Sequence, residues 1–252
     1  MSVLELQHDV VYGPVDSRRL GSSLGINLLP TARKLCTFDC VYCQYGSTEG
    51  ESQAEDKERF PPVDTVLGKV EQAISKHAHL HYLTFSGNGE PTLHPHFPEI
   101  VAEVRRLRDR LCPRVRLAIL SNSSRVSRPE IRRAIEQLDD PIVKLDAGDP
   151  STFAQINRPV SGVKFEEIVA ALRTMPGLII QSMIIAGQPH NAEGEAHEAW
   201  LDTIAQLSPQ KVQIYSIDRP VPVSELRRVS REVLAQLARN AQERTGIDVR
   251  AY

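Results

Sequence analysis

Short apolar segments alternate with amphipathic segments of helical period along most of this sequence. Residues 80–86 (LHYLTFS) have the composition of a strand and end before a glycine. After them, Phe97, Ile100 and Val104 repeat at helical spacing. The same criteria predict strands over 115–120, 141–146, 178–185, 212–217 and 247–251, and helices after Pro129 and over 165–172, 195–207 and 223–245.

The first eighty residues follow the same order of elements. Residues 24–29 (LGINLL) predict a first strand, and Val63, Val66 and Val70 predict a helix that leads into the second strand. Six strand-then-helix units in succession predict an α/β fold with a parallel sheet and right-handed crossovers. Six units are too few for a closed eightfold barrel, so a partly open barrel or a doubly wound sheet is expected. Ligands would bind at the carboxyl ends of its strands.

The sequence contains no internal linker, so we predict that residues 1–252 form one domain with an N-terminal extension over 1–23. The polar and acidic segment 47–60 predicts a mobile loop. With 41% hydrophobic and 25% charged residues, the composition excludes wholesale disorder and a disulfide-stapled miniprotein. The sequence has no run of 18 apolar residues and no secretory signal pattern at its N-terminus, so we predict a cytoplasmic protein without a membrane span.

Charge gives little indication of a partner. The formal net charge of −2 provides no overall attraction to nucleic acid or anionic lipid. Six arginines lie between positions 105 and 116, and this local excess favours a solvated helix face over an RNA-binding strip.

Three of the four cysteines, Cys36, Cys40 and Cys43, are separated by only three and then two residues. Disulfides usually close long loops, so this clustering favours metal ligation in a reducing compartment. A structural zinc ion usually takes four ligands, and Cys112 or a histidine would have to complete such a site. Three thiolates on an iron–sulfur cubane leave one iron open to a small molecule, which favours a cluster that performs chemistry.

Polar residues follow six successive predicted strands, so they would meet at one edge of a parallel sheet. The cysteine loop follows the first strand, and residues 86–91 (SGNGEP) follow the second. Scattered surface polarity would not produce this regularity. The four later strand ends carry Ser121 and Asn122, Lys144 and Asp146, Gln181 and Ser182, and Asp218 and Arg219.

The spacing of Cys36, Cys40 and Cys43, with Tyr42 before the last cysteine, resembles the signature of the radical S-adenosylmethionine (SAM) superfamily. The Gly-Glu-Pro sequence at 89–91 makes the resemblance specific, and it extends over nearly the whole chain. It implies a partial (β/α)6 barrel with parallel strands and the cluster loop after the first strand. Four strings resemble the branch that includes the wyosine-synthase-related proteins: 13–30, 144–149 (KLDAGD), 156–159 (INRP) and 218–220 (DRP).

The resemblance also implies which residues bind the cofactors. Cys36, Cys40 and Cys43 would each ligate one iron of a [4Fe–4S] cluster, and the fourth iron would bind the amino and carboxylate groups of SAM. Gly89 would let the backbone approach the methionine part of SAM, and Glu90 would accept its ammonium group. The remaining implied contacts are Ser121 and Asn122 to the ribose, Lys144 to the carboxylate, Tyr42 near the adenine, and Asp146, Gln181 and Arg219 on the substrate side.

Several of these residues have purely structural alternatives. Lys144 could form an ion pair with Asp146 or Asp149, and residues 157–159 could simply shape a turn. Cys112 is expected to be a buried apolar residue.

The reaction implied by the resemblance is reductive cleavage of SAM to methionine and a 5′-deoxyadenosyl radical, which abstracts hydrogen from a substrate. It requires a low-potential electron donor such as flavodoxin or ferredoxin. The substrate would be a tRNA base, a partner enzyme that receives a glycyl radical, or a small molecule. Related wyosine synthases hold a second cluster with additional cysteines, and only Cys112 remains here, so wyosine synthesis itself is not expected. The alternative function is a non-radical protein with a structural zinc or an electron-carrier cluster.

Overall fold

The structure is a computed structural model that describes residues 4–48 and 60–252. Residues 49–59 of the predicted mobile loop lie outside the described residues, and that interpretation remains a prediction, as does the division of the chain into one domain.

The helices are α1 (Val63–Lys76), α2 (Phe97–Leu111), α3 (Pro129–Ile135), α4 (Pro150–Asn157), α5 (Phe165–Leu172), α6 (Gly194–Leu207) and α7 (Arg231–Thr245). The strands are β1 (Val11–Ser17), β2 (Gly21–Ile26), β3 (Tyr82–Phe85), β4 (Arg116–Ser121), β5 (Asp140–Lys144), β6 (Ile179–Met183), β7 (Ile185–Gly187), β8 (Lys211–Tyr215), β9 (Leu226–Arg228) and β10 (Val249–Ala251).

Eight of the strands form one sheet in the order β1-β2-β3-β4-β5-β6-β8-β10. All neighbours from β2 to β10 are parallel, and only β1 pairs antiparallel with β2. In the described residues β1 and β10 do not pair with each other, so the sheet does not close. This architecture confirms the predicted α/β fold and the partial barrel.

The N-terminal part of the sheet differs from the prediction. The first parallel strand lies at Gly21–Ile26 instead of 24–29, and β1 forms a hairpin with it inside the predicted extension. The central residues of β1 are exposed, so this edge strand lacks the apolar alternation that would have revealed it.

Two further elements were missed because local signals were overlooked. The predicted helix over 223–245 begins only at Arg231, since residues 226–228 form β9 and pair antiparallel with β7. Helix α4 was not predicted, although Asp149 caps it by accepting a hydrogen bond from the Thr152 amide (2.8 Å) and Pro150 occupies its first position. An acidic cap followed by proline is a typical helix start.

The helices pack on the outer face of the sheet. In α2, Phe97, Ile100 and Val104 are fully buried on one face, which is the stripe that the sequence spacing predicted. The inner face of the sheet is more polar than the outer face. Residues at alternate positions of each strand point into the barrel. These include Thr84, Lys144 and Gln181.

The arginine-rich stretch 105–116 is engaged in ion pairs. One of its arginines, Arg108, is buried, so the stretch is not uniformly solvated. Five of its arginines pair with nearby carboxylates: Arg105, Arg106, Arg108, Arg110 and Arg116. Within the part of the chain that the structure describes, no helix is long and apolar enough to cross a membrane.

Candidate cofactor site

A pocket of about 280 Å³ opens at the carboxyl ends of the parallel strands. Every residue predicted to bind a cofactor lines it: Cys36, Cys40, Tyr42, Cys43, Gly89, Glu90, Ser121, Asn122 and Lys144. Gln181 also lines it, whereas Arg219 is exposed and lies outside the lining.

Backbone hydrogen bonds attach the cysteine loop to two parts of this rim. The Leu35 amide donates to the Asn88 carbonyl (2.8 Å), and the Glu90 amide donates to the Leu35 carbonyl (3.0 Å). On the other side, the Val41 amide donates to the carbonyl of Ile156 (3.0 Å), at the end of α4. The cysteines are therefore presented by a loop with one anchor before Cys36 and another between Cys40 and Cys43.

Gly89 makes the first of these anchors possible. Its φ is +138°, and a Cβ at this position would lie 1.8 Å from the carbonyl oxygen of Leu35. No side chain can therefore stand at position 89 while the cysteine loop keeps its present place. The glycine serves the approach of two protein segments, and its predicted proximity to SAM remains a separate prediction.

Two asparagine side chains donate hydrogen bonds to cysteine sulfurs. Asn122 Nδ2 lies 3.4 Å from Cys36 Sγ, and Asn157 Nδ2 lies 3.5 Å from Cys40 Sγ. Burial raises the pKa of Cys36 to about 12 and that of Cys40 to about 11. Thiolates in such surroundings need a positively charged partner, and iron ions supply one, so the donor set fits a cluster.

The spacing of the cysteine side chains bears on the kind of metal group that they fit. Across residues 4–48 and 60–252, no three His, Cys, Asp or Glu side chains are gathered closely enough to hold a single metal ion. Zinc needs its ligands around one point. A cubane binds each thiolate to a different iron, and its ligands are therefore spread more widely.

Glu90 is a buried carboxylate that accepts four hydrogen bonds. Its Oε1 accepts from Thr92 N (3.0 Å), Thr92 Oγ1 (2.7 Å) and Ser121 Oγ (3.0 Å), and its Oε2 accepts from Asn122 N (2.6 Å). Burial raises the pKa of Glu90 against the effect of these donors. No side chain of the described residues forms an ion pair with it. Oε2 has only one donor and can accept another from a cationic ligand.

The side chains of Ser121 and Asn122 are engaged within the protein. Ser121 Oγ donates to Glu90 and accepts from the amide of Ser123 (3.1 Å). Asn122 Nδ2 also donates to Thr37 Oγ1 (2.9 Å), and its Oδ1 accepts from the amide of Ser124 (2.9 Å). Both residues bind the cysteine loop and the Glu90 turn together, and their contact with a ribose stays a prediction.

Lys144 is a largely buried cation facing three polar partners. Its Nζ donates to the hydroxyl of Tyr215 (3.0 Å) and lies 3.5 Å from Asp146 Oδ1. It also lies 5.1 Å from the ring centre of Tyr42. Burial alone would lower the pKa of Lys144, but Asp146 and Tyr215 outweigh burial and raise it. The ammonium is therefore charged at neutral pH, and the ion pair with Asp146 exists beside any ligand contact.

Asp146 joins three segments beneath the pocket. Its carboxylate accepts from the hydroxyl of Tyr42, from Asn157 Nδ2 (2.7 Å) and from the amide of Met183 (2.8 Å). Burial, and then the charge of Asp146, raise the pKa of Tyr42 well above its usual range. Asp146 therefore positions the cysteine loop through Tyr42, and its predicted place on the substrate side stays a prediction.

Sequence reasoning missed Asn157, Thr37, Tyr12 and Tyr215 as parts of this site. Asn157 was noted as part of the string 156–159 and as a possible turn residue, without a role at the cysteines, and the tyrosines carry no local signal. Tyr12 lies on β1, the hairpin strand that was not predicted, and lines the pocket opposite the cysteines. The position of Thr37 directly after Cys36 was the one available indication.

Comparison with known proteins agrees with this geometry. A family model described as the radical SAM superfamily matches residues 34–201, which is more than half of the chain. The chain belongs to the radical SAM superfamily. Its cofactors are therefore a [4Fe–4S] cluster and SAM, and it is a radical SAM enzyme.

This radical SAM protein is 33% identical over 235 residues to a UPF0026 protein of Methanocaldococcus jannaschii. The match covers 90% of this chain and 70% of that relative. It is 29% identical over 213 residues to GTPase Obg of Brachyspira hyodysenteriae; the match covers 83% of this chain but only 30% of that protein. A solved structure of TYW1 with a lysine-pyruvate adduct bound superposes with a TM-score of 0.63 at 16% identity, covering 90% of this chain and 76% of that one. The last likeness shows a shared fold.

Proposed function

We propose that this enzyme cleaves SAM reductively and uses the product to remove a hydrogen atom from a substrate at the carboxyl rim of the barrel. The observation that carries the proposal is the hydrogen bonding of Cys36 and Cys40 by Asn122 and Asn157 in a pocket that also contains Glu90. When bound, the reduced cluster and SAM supply a 5′-deoxyadenosyl radical. The single-domain organisation of residues 1–252 and a cytoplasmic location, where cysteines stay reduced, are parts of the same proposal.

Each protein group has a defined task in this proposal. Cys36, Cys40 and Cys43 ligate three irons. Glu90 Oε2 accepts the ammonium of SAM, because it belongs to a buried carboxylate that forms no ion pair with a described residue. Lys144 provides a positive charge for the SAM carboxylate. The aromatic and aliphatic side chains of the pocket wall, Tyr12, Tyr42 and Leu120, limit the access of water, which protects a reactive carbon radical.

Gln181 supports a location for the substrate. Its Oε1 accepts from the Tyr215 hydroxyl (3.2 Å), whereas its Nε2 is buried without a partner among the described residues. A buried donor of this kind costs free energy unless a ligand accepts from it. We therefore place a hydrogen-bond acceptor of the substrate at Gln181 Nε2. A carbonyl of a tRNA base, a backbone carbonyl of a glycyl-radical partner enzyme and a small polar molecule all supply one.

Radical SAM enzymes need a reductant, and we propose a flavodoxin or a ferredoxin. The test is anaerobic. The protein is reconstituted with iron and sulfide, reduced, given SAM alone, and assayed for 5′-deoxyadenosine while the electron paramagnetic resonance spectrum is recorded. We expect 5′-deoxyadenosine and a SAM-dependent shift of the spectrum.

The matched variants are Cys40→Ala and Cys112→Ala. Cys112 ends α2, away from the pocket, so its loss should leave iron content and SAM cleavage unchanged. The loss of Cys40 should abolish both. A cluster whose spectrum ignores SAM would instead support an electron carrier, and zinc without iron would support a structural metal site.

A further inference from the structure

A second cavity, of about 550 Å³, lies beside the cysteine loop but outside the cofactor pocket. The loop after β4 and the turn before α5 form its walls. Three cationic side chains line it, Arg125, Arg128 and Lys164, together with one carboxylate, Glu167. Its volume is that of a small-molecule binding site rather than of a surface crevice.

Among the described residues, neither arginine forms an ion pair with a carboxylate. Arg125 donates from Nη1 to the carbonyl of Thr92 (3.1 Å), but its Nε is buried and has no hydrogen-bond partner among the described residues. Arg128 forms no ion pair within residues 4–48 and 60–252. This differs from the stretch 105–116, where five of six arginines are paired. Unpaired guanidinium groups at a cavity wall are suited to an anionic ligand.

Carboxylates reduce the positive charge of the cavity only partly. Lys164 Nζ lies 3.1 Å from Glu167 Oε1, and both side chains are more than half exposed, so this pair is weak. Glu90 and Glu130 act on Arg125 from outside the lining, whereas Arg128 repels it. Because three cations face one carboxylate, an excess of positive charge suits a phosphate better than a singly charged carboxylate.

Neutral donors complete the site. The side-chain hydroxyls of Ser127 and Ser161 line the cavity and make no hydrogen bond within the described residues. Helix α5 also begins there, and no side chain caps its N-terminus. Free amides and the positive end of the helix dipole favour an anion at this position.

We propose that this cavity binds a phosphate group that a substrate or ligand carries. Its wall adjoins the cofactor pocket through Thr37, which lines the cavity and follows Cys36 directly. Thr37 Oγ1 bonds to Ser124 Oγ (2.6 Å) on the cavity side and accepts from Asn122 Nδ2 (2.9 Å) on the pocket side. A ligand anchored here by its phosphate would be held next to the rim where the radical chemistry is proposed. An RNA backbone and a small phosphorylated molecule are the two sources of such a group.

The test uses the reconstituted protein and two probes, a fluorescein-labelled RNA hairpin and inorganic pyrophosphate. Affinities are measured by fluorescence anisotropy and by calorimetry. Arg128→Glu and Lys164→Glu remove exposed cations that make no buried contact, so both variants should fold. We expect each to weaken binding by roughly tenfold to a hundredfold, as for the loss of a charge-assisted hydrogen bond.

Arg133→Glu is the matched control, because Arg133 is an exposed arginine on α3 outside the cavity. Tight pyrophosphate binding that Arg128→Glu weakens would indicate a small phosphorylated ligand. RNA binding that Arg128→Glu weakens, but that pyrophosphate does not displace, would indicate an RNA backbone. The proposal fails if neither probe binds, or if Arg133→Glu weakens binding as much as Arg128→Glu. Cleavage of SAM alone is measured on the same samples, so failure here is distinct from failure of the proposed function.

Discussion

The two ends of the barrel both contain buried or half-buried charges. They differ in whether all of their buried polar groups have partners within the protein. At the amino ends of the strands, Arg116 binds Asp140 through two nitrogens (2.9 and 3.0 Å), and Arg108 binds Asp139 (2.6 Å). At the carboxyl ends Lys144 is paired with Asp146 (3.5 Å). Among the described residues, however, Glu90 forms no ion pair and Gln181 Nε2 has no hydrogen-bond partner.

This difference separates groups that stabilise the fold from groups that await a ligand. Charges that are paired by the protein itself contribute to folding, while an unpaired buried polar group is a net cost that only binding can offset. A strongly shifted pKa does not by itself distinguish a group that awaits a ligand from one that stabilises the fold. Tyr82 at the amino end also has its pKa raised to about 12, by burial and by its bond to Asp140.

The largest effect is expected for Gly89→Ala at the carboxyl end. The new Cβ would collide with the carbonyl of Leu35 and displace the cysteine loop. A displacement of about 1 Å between reacting groups costs roughly a hundredfold in rate, so iron content and SAM cleavage should both fall severely. The control is Gly68→Ala on α1, where a Cβ meets no atom within 4 Å. Equal iron content in the two variants would contradict this role of Gly89.

At the amino end, Asp139→Asn should change stability without changing chemistry. Although burial alone would raise the pKa of Asp139, the Leu117 amide and Arg108 lower it. We expect a loss of about 1–3 kcal/mol in the free energy of unfolding and SAM cleavage close to that of the parent protein. Urea unfolding followed by circular dichroism measures the first quantity.

The pH dependence of that loss follows from the sign of the shift. A carboxylate with a lowered pKa stabilises the folded state fully above its unfolded pKa of about 4, and this contribution disappears as the pH falls through the lower folded value. The difference between parent and Asp139→Asn should therefore be constant above about pH 5 and should shrink below about pH 4. A difference that grows in acid would show that another group is responsible.

A smaller effect is expected for Asn157→Ala, which removes the hydrogen bond to Cys40 Sγ. Hydrogen bonds to cluster sulfurs stabilise the more negative, reduced state. A bond of about 0.5–1.5 kcal/mol corresponds to roughly 20–60 mV for one electron, so the reduction potential should become more negative by that amount. Redox titration followed by electron paramagnetic resonance measures it. Asn240→Ala, at an exposed position of α7, is the control, and an unchanged potential for Asn157→Ala would refute the assignment.

The smallest effect on stability is expected for Gln181→Met. The substitution removes a buried donor that has no partner among the described residues, and it also removes the acceptor of the Tyr215 hydroxyl. The gain from the first change offsets much of the loss from the second, so the free energy of unfolding should change by less than about 1 kcal/mol. Cleavage of SAM alone should also be retained, because Gln181 is assigned to the substrate. A loss of several kcal/mol in the free energy of unfolding would instead show that Gln181 stabilises the fold, as the paired groups at the amino end do.

The sequence predicted which residues lie at the rim of the barrel, but it did not predict the hydrogen bonds that join them. Every proposed cofactor residue follows a strand, and parallel strands bring their carboxyl ends together, so chain position alone was sufficient to gather them in one pocket. The hydrogen bond between Asn157 and Cys40 joins positions 117 residues apart, and no local pattern encodes it. No local pattern predicts the cavity proposed to bind a phosphate either, because its cations, Arg125, Arg128 and Lys164, come from two separate segments of the chain.

The predicted role of Gly89 shows a second limit. Its Gly-Glu-Pro context indicated a position where the backbone must come close to another group. The sequence did not contain the information that this group includes the Leu35 carbonyl, because the approach depends on how the cysteine loop folds back. The hairpin strand β1 was missed for a related reason, since its exposed residues carry no hydrophobic period.

The anchors of the cysteine loop also set the order of events during biosynthesis. Cys40 leaves the ribosome 117 residues before Asn157, the side chain that contacts its sulfur. At translation rates of about 5–20 residues per second, this interval lasts roughly ten seconds. During that time the three thiols are exposed on an incomplete chain, where oxidants and other metals can reach them. The complete set of contacts around these thiols therefore exists only after α4 has been synthesised, and the timing of iron supply becomes part of how this enzyme is made.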